Sequence, residues 1–122
     1  MKKIMIIFIL TLPFLLSGCQ TTKNSLYSWG GYQSDLYEYY YDPVGAAEFP
    51  AILEAHLKEI EKSDKKPAPG LYAEVGTFAL QTGDIPKAIE FYNKESNAWS
   101  ESKFLMQALV DNLKLQLPKE DK

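Results

Sequence analysis

The chain has 122 residues with one histidine, one cysteine, no arginine, and 13 lysines against 16 acids. That length holds one small domain with one modest core. The negative balance disfavours phosphate-bearing partners such as nucleic acid, and the lack of arginine removes the planar fork that grips carboxylates and phosphates in bidentate fashion.

The first segment is a processing signal. Met1-Lys2-Lys3 forms a short positive start, residues 4–16 are almost wholly apolar, and Leu16-Ser17-Gly18-Cys19 closes the run with small residues before the cysteine. An apolar stretch of about 13 residues is roughly 20 Å long as a helix, short of the ~30 Å hydrocarbon core of a bilayer. This is the layout of a bacterial lipoprotein signal. Residues 1–18 are expected to be removed, and the Cys19 thiol to take up a diacylglycerol and then an N-acyl chain. With its only cysteine acylated the chain can form no disulfide. Acyl chains at about 0.8 kcal/mol per buried CH₂ hold such an N-terminus on a membrane. Gln20 stands where an aspartate commonly signals inner-membrane retention, so the expected location is the outer membrane, facing the periplasm. Loss of Lys2 and Lys3 takes the formal charge from −3 to −5. Residues 19–26 then read as a lipidated flexible tether, 27–117 as a helical domain, and 118–122 as a disordered tail.

Residues 27–41 hold six of the eight tyrosines and one of the two tryptophans. Alternation would make a strand of 36–40, whereas Trp29, Tyr32, Leu36 and Tyr40 fit one stripe of a helix. The stop at Asp42-Pro43 and the helical remainder favour the helix. So many rings cannot share one side, which places Tyr37 and Tyr41 at the surface. Two readings stand side by side: rings filling the edge of a small core, or a face for partner docking or glycan stacking.

Residues 46–61 carry Phe49, Ile52, Leu53, Leu57 and Ile60 at helical spacing, with Pro50 tolerated in the first turn. His56 projects into that face and is expected to be a core histidine bonded to a tyrosine or a backbone carbonyl. Residues 62–69 are a solvated connector. Residues 71–81 and 85–92 repeat the helical period around Gly83-Asp84, which predicts an antiparallel helical hairpin. Gly83 suits the left-handed position ending a helix, Asp84 the cap of the next, and small Gly76 and Ala88 a close approach between the two. Residues 93–98 read as a polar break. Ser100 then caps a last helix burying Phe104, Leu105, Ala108, Leu109 and Leu113, with Trp99 against the hairpin. The expected fold is all-α, with about four helices.

The pattern from 72 to 92 (Tyr72, Val75-Gly76, Gly83-Asp84, Ala88, Tyr92) resembles one tetratricopeptide repeat, in which Ala73, Thr77, Leu80 and Gln81 would form the inner face of the first helix. An isolated repeat needs flanking helices as caps. Taken whole, the signal, Cys19, Trp29-Gly30-x-Tyr32, Leu36-Tyr37-x-Tyr39, Asp42-Pro43, residues 69–74 and Gly83-Asp84 resemble the short bacterial lipoproteins of domain-of-unknown-function family 4810. The resemblance implies an outer-membrane lipoprotein encoded near a curli-secretion-like lipoprotein, a candidate partner by association.

The expected role is a non-enzymatic adaptor whose partner-binding residues are Tyr37, Tyr40, Tyr41, Ala73, Thr77, Leu80 and Gln81. Regulation of cell-wall synthesis and glycan binding are the alternatives. Glu54, Glu59 and Glu61 read as a solvated helix face with no nucleophile or phosphate loop beside them. Neither a metal nor a cofactor is expected, since one imidazole makes no metal site.

Overall fold

The computed structural model describes residues 25–118. The signal, Cys19 and nearly all of the tether and tail expectations lie outside this range. Within it the chain is mostly helical: β1 (Tyr27–Ser28), α1 (Tyr32–Tyr41), a 3₁₀ turn (Gly45–Glu48), α2 (Phe49–Glu61), β2 (Lys66–Pro67), α3 (Leu71–Gln81), α4 (Ile85–Ala98) and α5 (Lys103–Lys114). Among the described residues there are five α-helices against the expected four or so, one on each helical stretch read from the sequence, and Asp42-Pro43 divides α1 from the 3₁₀ turn and α2 as expected. Asp42 is extended, as the residue before a proline prefers, and its N–H closes α1 on the Glu38 carbonyl at 2.8 Å.

The hairpin of α3 and α4 forms as its turn chemistry dictates. Gly83 takes φ +81°, its N–H donates to the Leu80 carbonyl, and the Asp84 N–H reaches back to Ala79. This pair of bonds is a Schellman motif, which satisfies carbonyls that the helix end would otherwise leave unpaired. Asp84 Oδ1 then accepts from the Lys87 N–H at 3.1 Å, and Pro86 sits in the first turn of α4. A Cβ on Gly76 would lie 2.9 Å from the Tyr92 ring and 3.2 Å from the Ala88 carbonyl, so its lack of a side chain sets the approach of the two helices.

Two clusters form the core. One joins Phe49, Leu53 and Leu57 of α2 to Leu71, Tyr72 and Val75 of α3 and Phe91 of α4, with Tyr32, Leu36 and Tyr39 of α1 packed on it. The other joins Ala79, Ala88 and Tyr92 of the hairpin to Met106, Val110 and Leu113 of α5.

Four expectations change. Residues 93–98 are no break: α4 runs to Ala98, and the polar appearance arises because Glu95 occupies a buried position. The last helix starts at Lys103, with Ser102 at its N-cap position, and its buried stripe is Met106, Val110 and Leu113, while Phe104 and Leu105 are exposed. Residues 104–110 are apolar on both of these stripes, so periodicity alone cannot choose between them. The inward ring near the end of α1 is Tyr39, which packs on Phe49 and Phe78, and Tyr40 is exposed. The connector is not wholly solvated: β2 pairs in parallel with β1, Tyr27 opposite Lys66 and Ser28 opposite Pro67, and Ala68 behind it is fully buried.

Candidate partner-binding face

Helix α1 buries none of its residues fully, and its inward side is limited to Tyr32, Leu36 and Tyr39. Its outer side carries Tyr37 and Tyr41, one helical turn apart, with their rings stacked at 5.0 Å and 20°. Tyr37 is 62 % exposed, and Tyr40 and Tyr41 are each 77 % exposed, with Val44 beyond them. Tyr40 stands edge-on to Tyr39 at 5.1 Å, so it is braced by the ring that enters the core. The three outward tyrosines therefore form a preorganised aromatic surface of low rotamer entropy.

Charge surrounds this surface in one sign. Residues 24–57 contain five acids and no lysine. Asp35, Glu38, Asp42 and Glu48 line an open cleft of about 270 Å³ between α1 and α2, floored by Tyr39, Phe49 and Ile52. Asp35 also meets His56, whose Nδ1 lies 3.0 Å from Oδ2, although neither atom has a hydrogen-bond partner of good geometry among the described residues. The histidine is thus half-exposed and paired with a carboxylate, not with the tyrosine or carbonyl expected. Gly31 lies over the ring, where a Cβ would come within 2.6 Å of His56 Cε1. Burial, followed by the Glu74 carboxylate beside it, pushes the Tyr32 hydroxyl up to about 12.

The four expected residues on α3 occupy a different neighbourhood. Ala73 and Leu80 are half-buried against the cluster under α5, and Thr77 Oγ1 sits 3.2 Å from the Tyr92 hydroxyl. Gln81 lines a groove of about 400 Å³ between α2 and α3, shared with Pro50, Glu54, Val75 and Phe78. Ala73 and Leu80 therefore lie against the cluster under α5, whereas Gln81 shares its groove with Tyr39, the ring that braces Tyr40.

Glu54 is no simple solvated carboxylate. It accepts from Lys87 at 2.5 Å and lies 3.1 Å from Lys58. The Lys87 ammonium holds its carboxyl below the usual range, against a smaller opposing effect of burial, with Lys58 assisting. Sequence reasoning also missed Glu95. Its Oε1 accepts from the Gly70 N–H and from the Ser102 hydroxyl, each at 2.9 Å, so one carboxylate joins the starts of α3 and α5. The visible trace of this role is an acid placed on the buried stripe of α4, between Phe91 and Trp99. A further group, Tyr27, Trp29, Trp99 and Lys66, meets where β1 pairs with β2.

Among the described residues no group of three or more His, Cys, Asp or Glu side chains converges as a metal site would require, and no helix is long and apolar enough to cross a membrane. What the arrangement offers is contact area: exposed aromatic rings with carboxylates around them. No curated protein and no solved structure matches the chain. The domain of unknown function DUF4810 matches residues 26–109, from β1 to the middle of α5, and the chain belongs to that family.

Proposed function

We propose that the protein is a non-enzymatic adaptor, anchored to the outer membrane through acylated Cys19, that holds another envelope protein in a secretion-like assembly. The observation carrying this reading is the stacked, exposed pair Tyr37 and Tyr41 with Tyr40 beside it: large rigid rings that the fold itself does not bury. The hairpin of α3 and α4 serves as scaffold in this reading, a single tetratricopeptide-like repeat capped by α2 on one side and α5 on the other. Its left-handed Gly83, the Asp84 cap and the Gly76–Tyr92 approach support that assignment.

The test places a photoreactive residue at Tyr37 in intact cells and, in parallel, recovers partners from membranes with wild type and with Tyr37→Ala/Tyr41→Ala. The expected result is one dominant crosslinked protein that disappears from the recovery with the double variant. An unchanged set of partners would remove the tyrosine face from the reading. The same stacked face suits a sugar ring, so titration with peptidoglycan fragments separates glycan binding from protein docking. Labelling with radioactive palmitate, lost in Cys19→Ser, checks the anchor independently.

A further inference from the structure

The segment from Leu26 to Trp29 follows Cys19 by a few residues, and its surroundings are chemically distinctive. Leu26 is 88 % exposed. Next to it Tyr27 packs edge-on against both tryptophans of the protein, Trp29 at 6.0 Å and Trp99 at 5.8 Å between ring centres. Trp29 is 39 % exposed and stacks in turn on Tyr32. Lys66, opposite Tyr27 in the strand pair, lies with its ammonium 5.6 Å over the Trp99 ring, and Lys65 precedes it. An exposed leucine, indole and phenol rings, and lysines at their edge are the side chains that favour the boundary between hydrocarbon and headgroups: rings with one apolar and one polar end, and ammonium groups on apolar stems.

We infer that this cluster is a membrane-facing surface, with Leu26 and Trp29 entering the headgroup layer and Lys65 and Lys66 meeting its phosphates. The inference rests on the lipid anchor proposed above. Chain length selects the occupant. Ser25 lies six chain steps after Cys19, a span of at most about 20 Å however it is arranged, so an acylated Cys19 keeps this end of the domain beside the bilayer. Charge sets the orientation. Of the three lysines in residues 62–66, Lys62 is paired with Glu59 at 2.6 Å, which leaves Lys65 and Lys66 against Asp64, and Glu101 with Lys103 adds no net charge, whereas residues 24–57 hold five acids and no lysine. A domain tethered at an anionic surface turns its lysines toward the surface and its carboxylates away. Helix α1 then carries Tyr37 to Tyr41 away from the Trp29 end, about 14 Å along its axis from Tyr32 to Tyr41. One end seats the domain while the other is presented to a partner.

Both tryptophans lie in the cluster, so tryptophan emission, excited beyond the tyrosine absorption, reads this surface. The full-length acylated protein is reconstituted into vesicles of phosphatidylethanolamine and phosphatidylglycerol, with and without chain-brominated lipid, and Trp29→Phe and Trp99→Phe leave one reporter each. Trp29 emission should fall by about half in brominated vesicles, and Trp99, covered by Tyr27 and Lys66, should fall less, as a side chain seated at the acyl boundary requires. Leu26→Asp/Lys66→Glu should abolish the quenching while the protein still floats with the vesicles. Floating protein whose Trp29 emission ignores the bromine would overturn the surface and leave the anchor standing. Emission that responds to peptidoglycan fragments but not to brominated lipid would likewise overturn it, assigning the cluster to a glycan. Protein that fails to float would overturn the anchor and the surface with it.

Discussion

Glu95 shows how much of this fold hangs on one side chain. It is fully buried, yet its carboxylate faces the starts of two helices, where backbone N–H groups point outward and the helix dipole favours negative charge. Its two bonds through Oε1 tie Gly70, which opens α3 at φ +92°, to Ser102 at the head of α5. Its second oxygen has no hydrogen-bond partner among the described residues, so desolvation offsets part of the gain. Each bond to a charged acceptor contributes roughly 1.5–3 kcal/mol, and removing the acceptor leaves the Gly70 N–H without a partner in a half-buried site. Glu95→Ala should therefore destabilise the domain by about 2–3 kcal/mol, and Ser102→Ala, which removes one of the two bonds, by about 1.5 kcal/mol, in denaturant unfolding. A Glu95→Ala variant as stable as wild type would mean that desolvation cancels the capping bonds.

At the scale of elements the decisive contact is the α3–α4 approach. Alanine is favoured over glycine inside a helix by about 1 kcal/mol, which alone predicts that Gly76→Ala stabilises. Geometry reverses the sign: the new methyl would lie 2.9 Å from a Tyr92 ring that is itself buried and braced at its hydroxyl by Thr77. Overpacking of this kind costs about 1–3 kcal/mol, so Gly76→Ala should be net destabilising, and the cost should shrink in a Tyr92→Leu background, as a double-mutant cycle would record. This hairpin was the most legible part of the sequence, because Gly83, Asp84, Pro86 and Gly76 each act locally and agree. The face of α5 was not legible, since apolar residues occupy two adjacent stripes and the choice between them lies in tertiary contacts, the packing on Ala79, Ala88 and Tyr92 and the bond from Ser102 to Glu95. The β1–β2 pairing was hidden for a similar reason: two residues make no pattern, and the partner strand is 39 positions on. Tyr37 and Tyr41 at the surface could be read from crowding alone, whereas Tyr39 rather than Tyr40 as the inward ring depends on where Phe49 and Phe78 stand.

Across the whole molecule the helices are cross-linked by phenol and ammonium groups aimed at carboxylates, which makes stability depend on pH from both sides. Tyr72 of α3 donates to Glu61 of α2 at 2.9 Å, and Tyr32 of α1 lies beside Glu74 of α3. Burial first, and the neighbouring carboxylate second, raise both hydroxyls above their ordinary value of 10.0, Tyr32 to about 12. For an acid whose folded value is raised, the protonated form is the one the fold prefers. The stabilisation is thus complete below pH 10.0 and is lost as pH climbs toward about 12, because the unfolded chain releases phenolic protons that the folded chain retains. On the acid side the sign is opposite. Lys87 of α4 holds Glu54 of α2 below its ordinary value of 4.5, so that pair contributes fully above 4.5 and its contribution fades as pH falls through the depressed value. Denaturant midpoints followed with pH should therefore form a plateau with two falling limbs, and each limb should answer to its own variant. Tyr72→Phe should lower the plateau by about 1 kcal/mol for the lost bond and flatten the alkaline limb. Lys87→Met should cost about 1 kcal/mol at neutral pH and little in acid, where Glu54 is protonated in both chains. An alkaline limb unchanged by Tyr72→Phe would show that the phenol–carboxylate link between α2 and α3 does not govern the whole-molecule response.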